Sequence, residues 1–243
     1  MSASTNMYRY HVKNLKGLEK TIDDIEVVIR DSIRYNNSRK NLASFNRIYA
    51  FLIAAWAETR LNKILYETHT FSERAVQMIK AQDSQLDTWK KAVELAFRQH
   101  HSLPRAPLTE RNIGVTHSAK FHALLNILEN ELKTIIQVRN KLAHGQWLYP
   151  LNYEMTEVSQ EMCRELNTEN FLSLKFKFQI IKHLSDIIHD LVVSQPTFER
   201  DFESKFRKLQ NAKTNLVTRK YEDYKIKLIN RRTYGEQQRI QPN

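Results

Sequence analysis

The chain has 243 residues, which is long enough for one or two domains with a buried core. Hydrophobic residues make up 41% and charged residues 27%, which excludes the disordered, collagen-like and membrane classes of protein. Four glycines and five prolines are few for this length, and β-sheet proteins need such turn residues every few positions. The composition therefore predicts long helices joined by few turns.

The cysteine content and the apolar runs indicate the compartment. A single cysteine, Cys163, excludes an intrachain disulfide framework and zinc sites built on paired cysteines. The longest apolar run, residues 50–57, is far shorter than the ~18 to 20 residues needed to cross a bilayer. Residues 1–14 lack the pattern of a secretory signal. We expect a cytoplasmic protein that does not enter a membrane.

The formal net charge of +11 is unevenly distributed. Residues 196–243 carry twelve Lys or Arg against six acids, whereas residues 151–195 carry four against seven. A basic segment beside an acidic one indicates attraction to a polyanion, of which nucleic acid is the commonest. A solvated helix face explains the same charges, so both interpretations stay open.

Apolar residues at three- and four-residue intervals predict amphipathic helices over 15–36, 38–67 and 72–99. The second of these is apolar on every side over residues 50–57, so we expect it at the centre of a bundle. Pro104, Pro107 and Gly114 then predict a loop over residues 100–115.

A fourth helix is predicted to begin near Thr116 or Ser118, either of which can cap it. It continues to about His144, where Gly145 can adopt the left-handed conformation that ends a helix. An acidic connector with one short helix follows. A fifth helix is predicted over 169–193 and a sixth over 196–231.

These elements predict an all-α, up-down bundle of about five to six helices with a long basic helix at its C-terminal end. We assign residues 1–195 to the bundle and residues 196–243 to the basic helix, packed on the bundle or extending it.

The fourth helix carries an apolar seam that is broken once, at Arg139. A guanidinium in such a seam costs several kcal/mol unless it is paired or reaches an anion, so its presence needs an explanation. Asn140 and His144 are four residues apart and stand one above the other, whereas Arg139 and His144 are about 140° apart on an ideal helix. The long arginine side chain can bend toward the histidine. The apolar members of the seam are Phe121, Leu125, Leu128, Leu132, Ile135 and Leu142.

Residues 139–145, Arg-Asn-Lys-Leu-Ala-His-Gly, resemble the signature of the HEPN superfamily: an arginine, a polar residue, three further positions and a histidine. The resemblance covers about residues 38–195. It implies a metal-independent, cofactor-free endoribonuclease in which the motifs of two subunits face each other across one RNA strand. Such nucleases typically act as toxins or in phage defence, and an inhibitory antitoxin or another regulatory partner protein controls them.

The residue chemistry suits this expectation. His144 can serve as base or acid near neutral pH, and Arg139 offers forked donors to phosphate oxygens. Asn140 can orient the histidine or bind the phosphate. Because one chain offers one such histidine, an acid and a base together require His144 of a second subunit.

A structural interpretation of the same residues stays open. Arg139 can be salt-bridged inside the bundle, with Glu58 as the expected partner because it follows the apolar stretch of the second helix. Glu58 would support Arg139 in either interpretation. His144 can cap the last carbonyls of its helix. The chain would then be a non-catalytic helical module that binds a partner protein or nucleic acid.

Further lysines and arginines, most of them in the C-terminal segment, are candidates for phosphate contact without sequence preference. The aromatic residues that alternate with the cations of the C-terminal segment are expected to pack in the core. His183, Asp186, His189 and Asp190 are better explained as a solvated helix face than as a metal site. The candidate cations are Lys141, Lys205, Lys208, Lys213, Arg219, Lys220, Arg231 and Arg232.

Overall fold

The computed structural model describes the backbone of residues 3–35, 39–68 and 70–240, and the side chains of 6–35, 41–68 and 70–231. In this part of the chain every long element is a helix, and extended pairing is limited to one antiparallel bridge between Leu151 and Val158. The all-α prediction is confirmed. The helices are α1 (Ala3–Arg34), α2 (Arg39–Leu65), α3 (Glu73–Lys80), α4 (Gln85–His100), α5 (Glu110–Ile113), α6 (Val115–Ile127), α7 (Lys133–Ala143), α8 (Gln160–Thr168), α9 (Phe171–Val193), α10 (Gln195–Thr218) and α11 (Tyr221–Ile240).

Helix α2 lies at the centre of the molecule, as its apolar middle predicts. It packs against α1, α7 and α9, and Ile53, Ala54 and Ala57 have no exposed surface. Burial of apolar side chains on several sides of this helix stabilises the bundle. None of the described helices is long and apolar enough to cross a membrane.

Two predicted helices are each divided in the structure. The predicted helix over 72–99 becomes α3 and α4, because Ser84 starts a new helix by accepting the backbone N–H of Asp87 across 3.0 Å. The predicted C-terminal helix over 196–231 becomes α10 and α11, with Arg219 in extended conformation between them. This break lets Tyr221 and Tyr224 pack against the core while α11 turns onto α1 and α9.

One predicted helix start and one predicted cap are also wrong. Helix α1 begins at Ala3, twelve residues before the predicted start. Helix α6 begins at Val115, close to the predicted start near Thr116, but neither Thr116 nor Ser118 caps it, because Gly114 with a φ of +79° precedes it and joins it directly to the short α5.

The predicted fourth helix runs through a π turn, Leu128–Leu132, that joins α6 to α7. The backbone N–H of Lys133 donates to the carbonyl of Leu128, five residues earlier. After this turn, α7 buries Ile135, Ile136 and Val138. Arg139 is half-buried and lies at the edge of this buried surface.

Candidate active site

Helix α7 ends in the left-handed turn that Gly145 predicts. Gly145 has a φ of +75°, its N–H donates to the carbonyl of Leu142 across 3.1 Å, and the N–H of Gln146 donates to the carbonyl of Lys141 across 2.9 Å. This pair of bonds fixes the helix end and places the backbone of His144 at the last position of the helix, without a bond from its ring.

Arg139 is held by two helices that cross α7. Its Nη2 donates to Glu58 Oε2 of α2 across 2.9 Å and to Gln85 Oε1 of α4 across 2.8 Å. The predicted contact between Arg139 and Glu58 is therefore present. The deep placement expected for Glu58 is wrong, because 52% of its side chain is exposed just beyond the end of the apolar stretch at Ala57.

The guanidinium retains donors that the described residues do not use. A guanidinium carries five N–H donors, and the described bonds of Arg139 all come from Nη2. Its Nε is buried and has no described hydrogen-bond partner, while 24% of the side chain is exposed. An anion that approaches from solvent can meet the exposed part of the guanidinium, although not the buried Nε, without breaking the bonds to α2 and α4.

Asn140 and His144 face solvent at the end of α7. In the described part of the chain, no hydrogen bond or ion pair involves the His144 ring, and none joins Arg139 to either residue. The capping role considered for His144 is not seen, because the carbonyls of Lys141 and Leu142 accept backbone and indole N–H groups instead. Within one chain, the motif thus presents its amide and imidazole on the outside and its guanidinium toward α2 and α4.

Comparisons with family models, with curated proteins and with solved structures find no match for this chain.

The loop that follows α7 is folded against the helix end. The Trp147 indole donates to the Leu142 carbonyl across 3.1 Å. Gln146 Oε1 accepts the backbone N–H of Leu151 across 2.8 Å, and Lys141 Nζ donates to the Leu151 carbonyl across 2.6 Å. Lys141, predicted to contact nucleic acid, is therefore engaged in holding this loop, because the chain turns back over its ammonium group.

This segment, residues 146–158, which we name the motif loop, follows His144 closely in sequence and exposes large apolar side chains. The exposed fraction is 64% for Leu148, 69% for Tyr149 and 95% for Tyr153. Apolar side chains grouped on a surface are typical of a region that another protein covers. The sequence analysis missed this feature, although four of the exposed side chains lie within eight residues of each other.

Two of the predicted phosphate-binding lysines are neutralised by carboxylates. Lys205 pairs with Asp190 of α9, and Lys213 pairs with Glu131 of the π turn across 2.7 Å. Both ammonium groups are half-buried on the side of α10 that faces the bundle. The prediction that they are available to phosphates is wrong for this structure, because the helix face that carries them is a packing face.

Four other predicted cations, Lys208, Arg219, Lys220 and Arg231, are exposed. Lys208, Lys220 and Arg231 form no ion pair with a described residue, and the Nε of Arg219 donates to Asn215 Oδ1 across 3.3 Å. The side chain of Arg232 lies outside the described residues.

A histidine cluster, made of His100, His101 and His117, lies where the end of α4 meets the start of α6, and Glu199 near the start of α10 contacts it. The rings of His101 and His117 lie 4.7 Å apart, and His117 Nε2 lies 2.8 Å from Glu199 Oε1. Lys120, which is 8% exposed, also donates to Glu199, across 2.6 Å. The sequence alone does not link these residues, because only the tertiary structure brings α4, α6 and α10 together.

Burial and hydrogen bonding together set the pKa values of the cluster and of Glu199. Burial lowers the pKa of His100 and of His101. Burial also acts to raise the pKa of Glu199, but hydrogen bonds from Lys120 and His117 outweigh it and hold that pKa below its usual range. The cluster therefore keeps an ionised carboxylate between two donors.

The acidic and histidine side chains of α9 are also used within the protein. Asp186 accepts from Arg60 across 3.0 Å, and His189 Nε2 lies 3.3 Å from Glu67 Oε2. The described residues contain no group of three or more His, Cys, Asp or Glu that could hold a metal ion.

Proposed function

We propose that the chain is a HEPN-like helical bundle that acts as a metal-independent endoribonuclease, with Arg139, Asn140 and His144 as its catalytic residues. The observation that carries this proposal is the exposure of Asn140 and His144, without described side-chain partners, beside a guanidinium that keeps unused donors. A surface imidazole with no structural bond is available for proton transfer.

The reaction divides between two subunits. One His144 removes the proton of an RNA 2′-hydroxyl, and the 2′-oxygen forms a bond to phosphorus as the bond to the 5′-oxygen breaks. His144 of the second subunit protonates that leaving oxygen, which gives a 2′,3′-cyclic phosphate and a free 5′-hydroxyl. Arg139 stabilises the negative charge on the phosphorane, and Asn140 orients the imidazole or the phosphate.

Glu58 acts in this scheme as a positioning residue. It holds Nη2 of Arg139 at 2.9 Å, and Gln85 holds the same nitrogen from the other side. A guanidinium fixed by two acceptors loses little further side-chain freedom when it binds a phosphate.

The motif loop supports a homodimer with the two motifs close together. Leu148, Tyr149 and Tyr153 lie within nine residues of His144 in sequence and are largely exposed in the single chain. Contact between two copies of this loop would bury them and bring both His144 side chains to one two-fold axis. The resemblance of the motif places such an enzyme among cytoplasmic toxins or phage-defence proteins, with an antitoxin or another regulatory protein as inhibitor.

Cleavage of a labelled RNA by the purified protein in the presence of a chelator tests the proposal. We expect cleavage by the parent and at least about 100-fold slower cleavage by His144→Ala and by Arg139→Ala. His122→Ala and Arg111→Ala are matched controls, because both residues are exposed and lie outside the motif. Equal activity of parent and His144→Ala would remove the catalytic assignment.

The second candidate function is a helical module that binds a protein or nucleic acid without cutting it. The contacts of Arg139 with Glu58 and Gln85 favour it, because they give the arginine a structural role that needs no substrate. Absence of cleavage, together with a loss of stability in Arg139→Ala far above that of Arg111→Ala, would favour this function.

A further inference from the structure

A second positively charged site lies where α9, α10 and α11 meet. The break between α10 and α11 opens a groove of about 500 Å³ between the start of α9 and the two C-terminal helices. Four cations line it and one carboxylate, Asp223, accompanies them. The four cations are Lys175, Arg219, Lys220 and Lys227.

Three helices contribute the cations of this groove. Arg219 ends α10 with extended backbone and Lys220 precedes α11, so two adjacent cations stand at the bend. Lys227 follows two turns after Lys220, on the same side of α11, and Lys175 reaches the groove from α9.

Little within the chain neutralises these charges. Lys220 and Lys227 are exposed and form no ion pair with a described side chain, and Arg219 bonds only to the neutral Asn215 among those residues. Lys175 lies 3.5 Å from Glu26, which also accepts from Arg30 across 3.1 Å. In contrast to the paired lysines of α10, the groove therefore keeps a net positive charge.

The groove also contains neutral groups that suit a nucleotide. Phe176 and Tyr224 are half-buried in its wall, and Asn215 and Thr218 add polar side chains. Burial raises the pKa of Tyr224, so its hydroxyl stays protonated and can donate a hydrogen bond. Cations beside aromatic rings form the usual combination in sites for single-stranded nucleic acid, where the cations meet the backbone and the rings stack on bases.

We propose that this groove binds the phosphodiester backbone of a single-stranded nucleic acid. It is a second site, formed by other residues than the motif of α7. Its assignment to RNA in particular rests on the proposed nuclease function, whereas the chemistry of recognition is shared by single-stranded DNA. A duplex is disfavoured because its bases are stacked inside and cannot reach the aromatic wall.

Binding of a labelled oligonucleotide to the full chain tests this site. The probe is a 12-nucleotide single-stranded 2′-O-methyl RNA, which has no free 2′-hydroxyl and so cannot be cleaved by the proposed reaction. Fluorescence anisotropy compares the parent with a Lys220→Gln/Lys227→Gln variant. The matched control is Lys13→Gln/Lys16→Gln, since both lysines are exposed on α1 and lie about 15 to 20 Å along that helix from Glu26, which contacts Lys175 of the groove.

Loss of two phosphate contacts should weaken binding about 25-fold at 0.1 M salt, and make the slope of log K against log salt shallower by about 1.4. The control should bind like the parent. DNA and RNA strands bound with the same dependence on Lys220 and Lys227 support a backbone site, and stronger binding of RNA assigns it to RNA. The proposal is overturned if the groove variant and the α1 control lose the same amount of binding affinity, or if a duplex binds more tightly than the single strand.

The groove and the nuclease proposal can fail separately. If the protein cuts no RNA but its binding of the oligonucleotide depends on Lys220 and Lys227, the groove proposal is supported and the nuclease proposal is refuted. If cleavage depends on His144 but binding is the same without both lysines, the nuclease proposal is supported and the groove proposal is refuted.

Discussion

Replacement of Arg139 by methionine separates a structural role of the guanidinium from a chemical one. The side chain lies in an apolar row of α7, with Ile135 and Leu142 buried about one turn away on either side. Methionine has a similar length and no charge, so it completes the row and removes the cost of holding a partly buried cation.

The contacts of the guanidinium contribute little to the free energy of unfolding. Its pair with Glu58, 2.9 Å long, is limited to about 0.2–1 kcal/mol because the Glu58 side chain is half exposed. The hydrogen bond to Gln85, 2.8 Å long, adds roughly 1 kcal/mol. In the parent, the buried Nε of Arg139 lacks a described partner, and such a group costs roughly 1–3 kcal/mol. Methionine removes this cost. Since losses and gains nearly cancel, we expect Arg139→Met to change the free energy of unfolding by less than about 1 kcal/mol, which corresponds to less than about 4 °C in Tm.

Urea denaturation followed by circular dichroism gives the free energy of unfolding, and RNA cleavage is measured on the same preparations. We expect Arg139→Met to keep the stability of the parent while cleavage falls at least about 100-fold. Arg111→Met, at an exposed position, controls for the loss of one charge. A loss of more than about 2 kcal/mol with unchanged cleavage per folded molecule would refute the reasoning, because Arg139 would then be structural.

Other substitutions test the core, the motif loop and the histidine cluster. Phe198 is 1% exposed, so Phe198→Ala should cost about 3–5 kcal/mol and lower Tm by roughly 6–20 °C in thermal denaturation, and a loss below 1 kcal/mol would contradict its place in the core. Tyr149→Ser/Tyr153→Ser should convert a dimer to a folded monomer in sedimentation velocity, whereas Tyr10→Ser should not; an unchanged dimer would exclude the motif loop as the interface. Burial lowers the pKa of His100 below its ordinary 6.5, so the unfolded chain binds the proton more readily. The stability from this group is therefore present above about pH 6.5 and is lost as pH falls below it. His100→Gln should flatten the decline in unfolding free energy between pH 7.5 and 5.5, and an unchanged decline would show that His100 does not cause it.

Periodicity and cap chemistry predicted the main helices well, and the helix breaks poorly. The all-round apolar run of α2 and the left-handed Gly145 follow from local sequence. The break at Arg219 does not, because the amphipathic pattern continues through it and only packing of α11 on α1 and α9 selects the bend. The π turn could not be predicted either, since the alternation of four- and three-residue spacings fits a continuous α-helix.

At the candidate site, the sequence predicted the contact between Arg139 and Glu58 but not the one with Gln85. Glu58 could be identified as a carboxylate at the end of an apolar run, whereas Gln85 carries no charge and reaches the site only because α4 begins beside α7. For the same reason, charge alone could not separate Lys213, which faces Glu131, from Lys220, which faces solvent. Helix orientation decides both cases.

The central claim is that one reaction uses the His144 side chains of two subunits. Parent protein is mixed with an equal amount of His144→Ala, subunits are allowed to exchange, and RNA cleavage with chelator is measured per total protein. Exchange is verified by co-purification of differently tagged chains. If both imidazoles are needed, only dimers of two parent chains cut, and the rate falls to about a quarter of that of the parent alone. A rate of about half would mean that each subunit cuts by itself, and would contradict the account.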